Sequence, residues 1–355
     1  MRNNKLPLLL STLLLPLGIS LATPAFAADK GLAYVSDQDG GVTVIDLNTM
    51  MIEADLGVGG KGPRGIGITP DGKLLITANK DDGNISVIDT LTGRVARHVS
   101  IGKNPEFVRV YGNHAFVTYE PSASPHTAPA KRGRTAAKDD DEDKIPGRIA
   151  IVDLKKGRVI SEIIGKPETE GLEFSKNGKQ LLVTNESDNS ISVHDIATGK
   201  LLRTVEIGKY GERPRGIKMS PDGKYYAVTL EASDKLLLLN SKLEPVKAVA
   251  TGKSPYGVAY DRSGRRLFVA SSKQKILRVY NVATMAKLKD IPTGERCWHF
   301  SFSPDDKDIL LACGKSGEIV VVDADKLEVT KRISDPALPW GIVTYPKAVG
   351  SLDMP

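Results

Sequence analysis

Cys297, Trp298 and His299 stand side by side in the stretch ERCWHFSFSPDD, in a chain that holds only two cysteines, two tryptophans and five histidines. Each type brings its own chemistry. A histidine titrates close enough to neutrality for acid–base work or metal contact, and an indole face can stack a planar body. Two cysteines in an oxidising compartment are read first as a pair. The second, Cys313, ends LLAC, the segment that turns back after SPDD, and counting outward from that turn sets it nearly opposite Cys297. The spacing therefore predicts a Cys297–Cys313 disulfide. His299 is the best candidate for a catalytic group if the chain is an enzyme. No second histidine or carboxylate lies at metal-ligand spacing beside it, so the simpler reading is a histidine hydrogen-bonded within the packing.

A second set of residues recurs at equivalent places in related segments. PRGIGITPDGK (63–73) and PRGIKMSPDGK (214–224) carry an arginine between Pro and Gly, and the same place is filled by Glu106 in PEF, Glu170 in TEG, Tyr256 in PYG, Trp298 in CWH and Trp340 in PWG. Arg64 and Arg215 can grip a carboxylate or phosphate with two parallel hydrogen bonds, and flat aromatics can cover a ring. These seven residues, with His299, form the expected ligand-binding set. Glu120, Glu186 and Glu231 follow TYE, TNE and TLE and are weaker candidates for a hard cation such as Ca²⁺, which needs six or more oxygens. His98, His114, His126 and His194 form no cluster, and His194 replaces an isoleucine of its repeat, as an interior residue would.

These residues must be positioned by a repeat. VTVID, ISVID, IAIVD, ISVHD, LLLLN, LRVYN and IVVVD recur at about 42 residues, with one longer interval between the second and third. Each unit holds four short runs with period-two alternation and β-branched residues, joined by TPDGK- or SPDGK-type turns. Four strands per unit and seven units predict an all-β fold, a seven-bladed β-propeller with four-stranded blades. The chain starts within one unit at GLAYVSDQDG and stops within another at LPWGIVTYP, so N- and C-terminal strands are expected to pair in one closing blade. In such a ring the seven aligned side chains converge on one mouth of the central channel.

Segments such as LLVTNESDNSISVHDIATGKLLRTVEIG and YVSDQDGGVTVIDLNT resemble the YVTN-type bacterial β-propeller repeats, which are similar in pattern to lactonase-like and cytochrome d1-like propellers. The resemblance covers essentially all of 31–346. It implies a secreted, usually periplasmic propeller and supplies no catalytic residue, because these folds host binders, enzymes and haem domains alike.

The remaining sequence bounds the setting. Arg2 and Lys5 precede an apolar run and the pattern Ala25-Phe26-Ala27, which predicts a signal peptide over 1–27 with cleavage after Ala27 and export to the periplasm or beyond. A single propeller domain is expected over 28–355, with no other segment apolar enough to span a bilayer. The insertion EPSASPHTAPAKRGRTAAKDDDEDKIPG, 120–147, lacks apolar periodicity and reads as a disordered loop at the channel-facing end, either an exposed tether or a cover or docking arm for the ring. Losing the signal lowers the formal charge from +6 to +4, spread without a basic face, so no nucleic-acid partner is expected. No HExxH, CxxCH or phosphate loop occurs. The first reading is thus a monomer that binds a small anionic or aromatic ligand, or a periplasmic protein partner, without catalysis. The alternatives are a lactonase-like hydrolase or lyase, and a cofactor-binding or accessory domain of a redox system. No cofactor is assigned from the sequence, and His299 is the only ring residue that could serve as an axial haem ligand.

Overall fold

The computed structural model describes residues 30–120 and 145–353. The expected signal peptide, 1–27, and most of the expected insertion lie outside the described residues. Seven four-stranded antiparallel sheets are arranged as the blades of a β-propeller. Blade one spans 63–100, blade two 108–167, blade three 169–206, blade four 214–250, blade five 255–292 and blade six 297–334. The closing blade is built from both ends of the chain: Pro339–Tyr345 pairs antiparallel with Leu32–Asp37, which pairs with Val42–Asp46 and then Met51–Leu56. That pairing satisfies two strand edges that an open array would leave bare. One boundary differs from expectation: Pro146 and Gly147 belong to the strand Pro146–Asp153, not to the insertion, and Glu120 bridges to Lys103.

The two middle strands of each blade are buried on both faces, which is why VTVID and LLLLN read as nearly continuous apolar runs. Ile45, Leu310, Ile319 and Ile342 pack where blade six meets the closing blade. Each such residue contributes roughly 1.5–3 kcal/mol by leaving water. The outermost strands, such as Arg94–Ser100, are largely exposed and polar.

The inner strands set the channel, and two small devices shape them. In most blades the ladder slips just after the Pro of Pro-X-Gly, as between Pro214 and Ile217, so X sits in a bulge at the mouth. Thr184 accepts from the Gly171 N–H and donates to the Arg215 carbonyl, while Thr229 links Gly216 N–H to the Tyr256 carbonyl in the same way. The threonine thus clips blade three to blade four and blade four to blade five at the ring position. The glycine is needed for the same approach: a Cβ on Gly216 would come 2.5 Å from the Tyr256 carbonyl oxygen. Blades five and six carry Ala270 and Ala312 at the threonine place, and in blade six the predicted Cys297–Cys313 disulfide ties the two strands.

Past Tyr345 the chain folds back, and 347–353 enters the ring against the inner strands. Phe302 N–H donates to Val349 O, Ser351 N–H donates to Phe300 O, and Asp353 accepts from Ser301 Oγ at 3.1 Å. Among the described residues no helix is long and apolar enough to cross a membrane.

Candidate functional site: an acidic channel mouth with an aromatic wall

The bulges of blades one, three and four, with the residues just before the inner strand of blade two, bring Arg64, Glu170, Arg215 and Glu106 together. Arg64 Nη1 lies 2.8 Å from Glu106 Oε1, and its Nε donates to Gln38. Arg215 is the hub. It meets Glu170 at 2.6 Å, Glu231 at 2.9 Å and Glu186 more closely still, and its Nη1 donates to Tyr256 OH at 3.2 Å. Its guanidinium also lies over the Tyr256 ring, 4.9 Å from the centroid. Arg213 reaches Glu186 at 2.5 Å from the rim.

These side chains enclose a cavity of about 200 Å³ lined by three arginines, Arg64, Arg213 and Arg215, and five glutamates, Glu106, Glu120, Glu168, Glu170 and Glu186. Carboxylates therefore outnumber guanidiniums, and every guanidinium already has a carboxylate partner. Burial pushes the Glu170 carboxyl well above its usual range, and the like charges of Glu106 and Glu186 add to this against the pull of Arg215 and Arg64. Burial likewise raises Glu186 to about 7, with Arg215 and Arg213 pulling the other way.

Behind Arg215 the packing is aromatic. Tyr256 and Trp340 are buried edge to face at 6.3 Å, and the His299 ring lies 5.3 Å from the first and 4.4 Å from the second. Trp298 packs over Gly314 and against the cluster that holds Tyr256 and Trp340. His299 is 1% exposed, its Nδ1 lies 3.1 Å from Ser351 Oγ, and its Nε2 has no hydrogen-bond partner. Burial, with the nearby Arg109 and Arg215 charges, holds its pKa well below the ordinary value, so the ring is neutral.

Of the seven aligned residues, Arg64, Glu106, Glu170 and Arg215 line the cavity, whereas Tyr256 and Trp340 are buried in the core behind it and Trp298 packs against them. Of the three weaker acid candidates, Glu186 and Glu231 are spent on Arg215, and Glu120 accepts from Asn104 at 2.7 Å. No group of three or more His, Cys, Asp or Glu among the described residues could hold a metal ion. His194 is buried against Ser192 Oγ.

Sequence reasoning missed three groups. Arg213 and Glu168 sit on the rim, outside the aligned position. Phe107 occupies the glycine place of its blade, as His299 does in blade six, and the two rings meet at 5.9 Å. The departures PEF and CWH from Pro-X-Gly were the available signal. Two residues further along the same strands a second tier appears: Arg109, Glu173, Lys218 and Ser301 point inward with the period of two that a strand imposes. Lys218 reaches Glu173 at 3.7 Å and the Asp353 carbonyl, and Arg109 donates to Leu172 O and, at 3.0 Å, to Ser351 O. Burial, together with the Arg109 charge, lowers Lys218 to about 7.

Two family models match parts of the chain: "Lactonase, 7-bladed beta-propeller" over residues 154–244 and "Cytochrome D1 heme domain" over residues 18–110. Fold, repeats and these matches make the chain a lactonase-like, cytochrome d1-like seven-bladed β-propeller. Among curated proteins it is 22% identical over 338 residues to the dihydro-heme d1 dehydrogenase of Pseudomonas aeruginosa, covering 87% of this chain and 62% of the relative. It is 23% identical over 222 residues to Protein NirF of the same organism, covering 62% of this chain and 42% of that one. The chain thus spans less than two thirds of either relative. Among solved structures, the periplasmic gluconolactonase PpgL of Pseudomonas aeruginosa superposes with a TM-score of 0.70 at 16% identity, over 88% of this chain and 98% of that one.

The cytochrome d1 match raises a haem as a possible guest. The residues present do not fit one. The single channel histidine is walled in by Tyr256, Trp340 and Phe107, and the mouth cavity is acidic and smaller than the roughly 300–1,000 Å³ of ordinary small-molecule pockets.

Proposed function

We propose that this protein is an exported, non-enzymatic propeller that binds a small polar ligand at the channel mouth, and that the ligand presents hydrogen-bond donors or a positive charge to the glutamates. One observation carries this reading: five glutamates and three already-paired arginines line one cavity. An incoming anion would have to break Arg64–Glu106 or Arg215–Glu170 and leave a buried carboxylate unpaired, at a cost of roughly 3–5 kcal/mol. A hydroxyl-rich or amine-bearing ligand meets acceptors that are already oriented. The geometry thus favours a different ligand class from the anion that the two arginines suggest when read alone. Tyr256 lies behind the cavity and holds Arg215 in place, its ring under the guanidinium and its hydroxyl accepting from Nη1. Export, expected from the N-terminal pattern, accords with the likeness to a protein described as a periplasmic gluconolactonase.

Calorimetric titration of the purified chain tests this with two panels, polyols and primary amines against carboxylates and phosphates of similar size. Binding confined to the first panel, and weakened at least tenfold by Glu170→Gln with Glu186→Gln, is expected. Binding of the second panel only would overturn the reading.

A second reading is a lactonase-like hydrolase, favoured by one feature. Glu186, near neutrality and hydrogen-bonded by Arg213, has the protonation behaviour of a general base at physiological pH. Turnover of sugar lactones that Glu186→Gln abolishes would establish it, and absence of turnover with ligand binding intact would exclude it.

A further inference from the structure

Two acids are buried together where blade six hands the chain to the closing blade. Asp37 ends the second strand of the closing blade and is 1% exposed; Asp335 lies in the connection from blade six to Pro339 and is 2% exposed. Each spends one oxygen on a backbone N–H. Asp37 Oδ2 accepts from Thr43 N–H at 3.1 Å, and Asp335 Oδ1 from Ala337 N–H at 3.3 Å. The remaining oxygens, Asp37 Oδ1 and Asp335 Oδ2, have no donor, and the two carboxyls meet each other.

An ionised carboxylate only accepts, so two that meet in a desolvated place repel unless one proton lies between them. The surroundings offer no positive charge instead, since no basic side chain figures among the groups acting on either carboxyl. On the closing blade the neighbours are Asp39, which is exposed, and Asp55, a third carboxylate that accepts from Thr43 Oγ1 at 3.1 Å. On blade six, Glu318 lies in register with Ser334 and is held by Arg332 at 2.8 Å. Lys315 belongs to the turn whose Gly317 carbonyl accepts from Asp335 N–H, and it is exposed and acts on Glu295. On blade one, Arg64 is held by Glu106. Burial, and then the charge of Asp335, pushes Asp37 up to about 8, and burial raises Asp335 in the same direction. The two therefore titrate as one unit.

The same place is tied to the channel mouth. Gln38 N–H donates to Leu338 O and Asp39 N–H to Ala337 O, both at 3.1 Å, so the turn after Asp37 is zipped along 335–339. Gln38 then presents its side-chain carbonyl to Arg64 Nε at 2.9 Å. We propose that Asp37 and Asp335 share one proton as a latch between the blade-six connection and the closing blade, positioning Gln38 and through it Arg64, so that loss of the proton in alkaline solution releases one side of the mouth. The proposal rests on the mouth as the functional site only in naming what the latch regulates. With the proton gone, two buried carboxylates meet without a counter-charge, and the turn parts from 335–339. Arg64 then keeps Glu106 and loses Gln38. Because the folded pair holds its proton far above the ordinary aspartate range, the latch is closed at low and neutral pH and opens as pH rises through about 8.

Magnetic resonance of the full chain, labelled with carbon-13 at the aspartate carboxyls and nitrogen-15 in arginine, tests both the proton and its link to the mouth. The Asp37 and Asp335 carboxyl signals are expected to move together near pH 8, with the Arg64 Nε signal shifting over the same interval. In Asp37→Asn the amide donates to Asp335 as the shared proton does, so the Arg64 shift near pH 8 is expected to vanish while a shift near pH 7 that follows Glu186 stays. Titration of both carboxyls in the ordinary range, below about pH 5, overturns the shared proton. An Arg64 shift near pH 8 that survives unchanged in Asp37→Asn, or an Arg64 signal that never moves there in the wild type, overturns the link to the mouth. If Asp37→Asn does not fold, Asp335→Asn takes its place, and the wild-type carboxyl titration decides the proton by itself. No ligand enters this experiment, so its failure is distinct from failure of the calorimetric titrations, which test what the mouth binds.

Discussion

Arg215 shows how one side chain can decide the character of a site. It gathers Glu170, Glu186, Glu231 and Tyr256 around a single guanidinium, so the mouth is a lattice of paired charges with an acidic surplus. The surplus has a thermodynamic consequence. Glu186 titrates near 7 in the folded chain against about 4.3 in an unfolded one. The folded state therefore binds more protons at Glu186 over that interval, and the contribution of this carboxyl to stability falls as pH rises from about 4.5 to about 7. Glu170, raised in the same direction, adds to the slope. Urea midpoints measured at pH 5 and pH 8 are expected to show the wild type less stable at pH 8, on the order of 1–3 kcal/mol. Glu186→Gln is expected to flatten part of that difference; an equal slope in both proteins would show that Glu186 is ionised throughout.

At the scale of the strand pair, the same join between inner and second strands is made in two ways. Blades three and four use a threonine clip and a glycine that lets the neighbouring carbonyl approach. Blade six has Ala312 and His299 at those places and carries the disulfide. The bond closes a loop with a sequence separation of 16, and the chain-entropy estimate for such a loop is about 3 kcal/mol. A Cys297→Ala, Cys313→Ala double variant is expected to lose about that much in a denaturant titration. It should also loosen the corner where Trp298 lies over Gly314, read as a red shift and broadening of tryptophan emission. Loss of stability with unchanged emission would mean that the bond stabilises the blade without shaping the aromatic packing behind the mouth.

For the molecule as a whole, the ring is closed twice. The closing blade pairs the two ends of the chain, and the tail then ties several blades together from inside through Arg109, Lys218, Ser301 and Thr344. Deleting residues 347–355 leaves every strand in place but takes the Ser351 carbonyl from Arg109 and the Asp353 carbonyl from Lys218, leaving the two buried cations to share Glu173. A loss of about 3–5 kcal/mol is expected by denaturant unfolding. Lys218→Met in the shortened chain should recover part of it, because an apolar side chain carries no charge to leave unpaired. No loss on deletion would mean that water takes the place of the tail.

What the sequence alone determined is what repeats. Period-two apolar runs, turn signals and a unit of about 42 residues identify seven blades, their order and the closing pair, because each of these is a local pattern multiplied seven times. Aligning the units also identified Arg64, Glu106, Glu170 and Arg215 of the mouth and paired Cys297 with Cys313. What only the tertiary structure decided lies where blades far apart in sequence face one another. Which arginine meets which glutamate, the surplus of acid, the second tier of Arg109, Glu173 and Lys218, and the contact between Ser351 and His299 all depend on side chains meeting across a closed ring. Sequence spacing cannot set those partners, since the distance between inner strands is fixed by closure and by the packing of neighbouring blades, not by the chain between them.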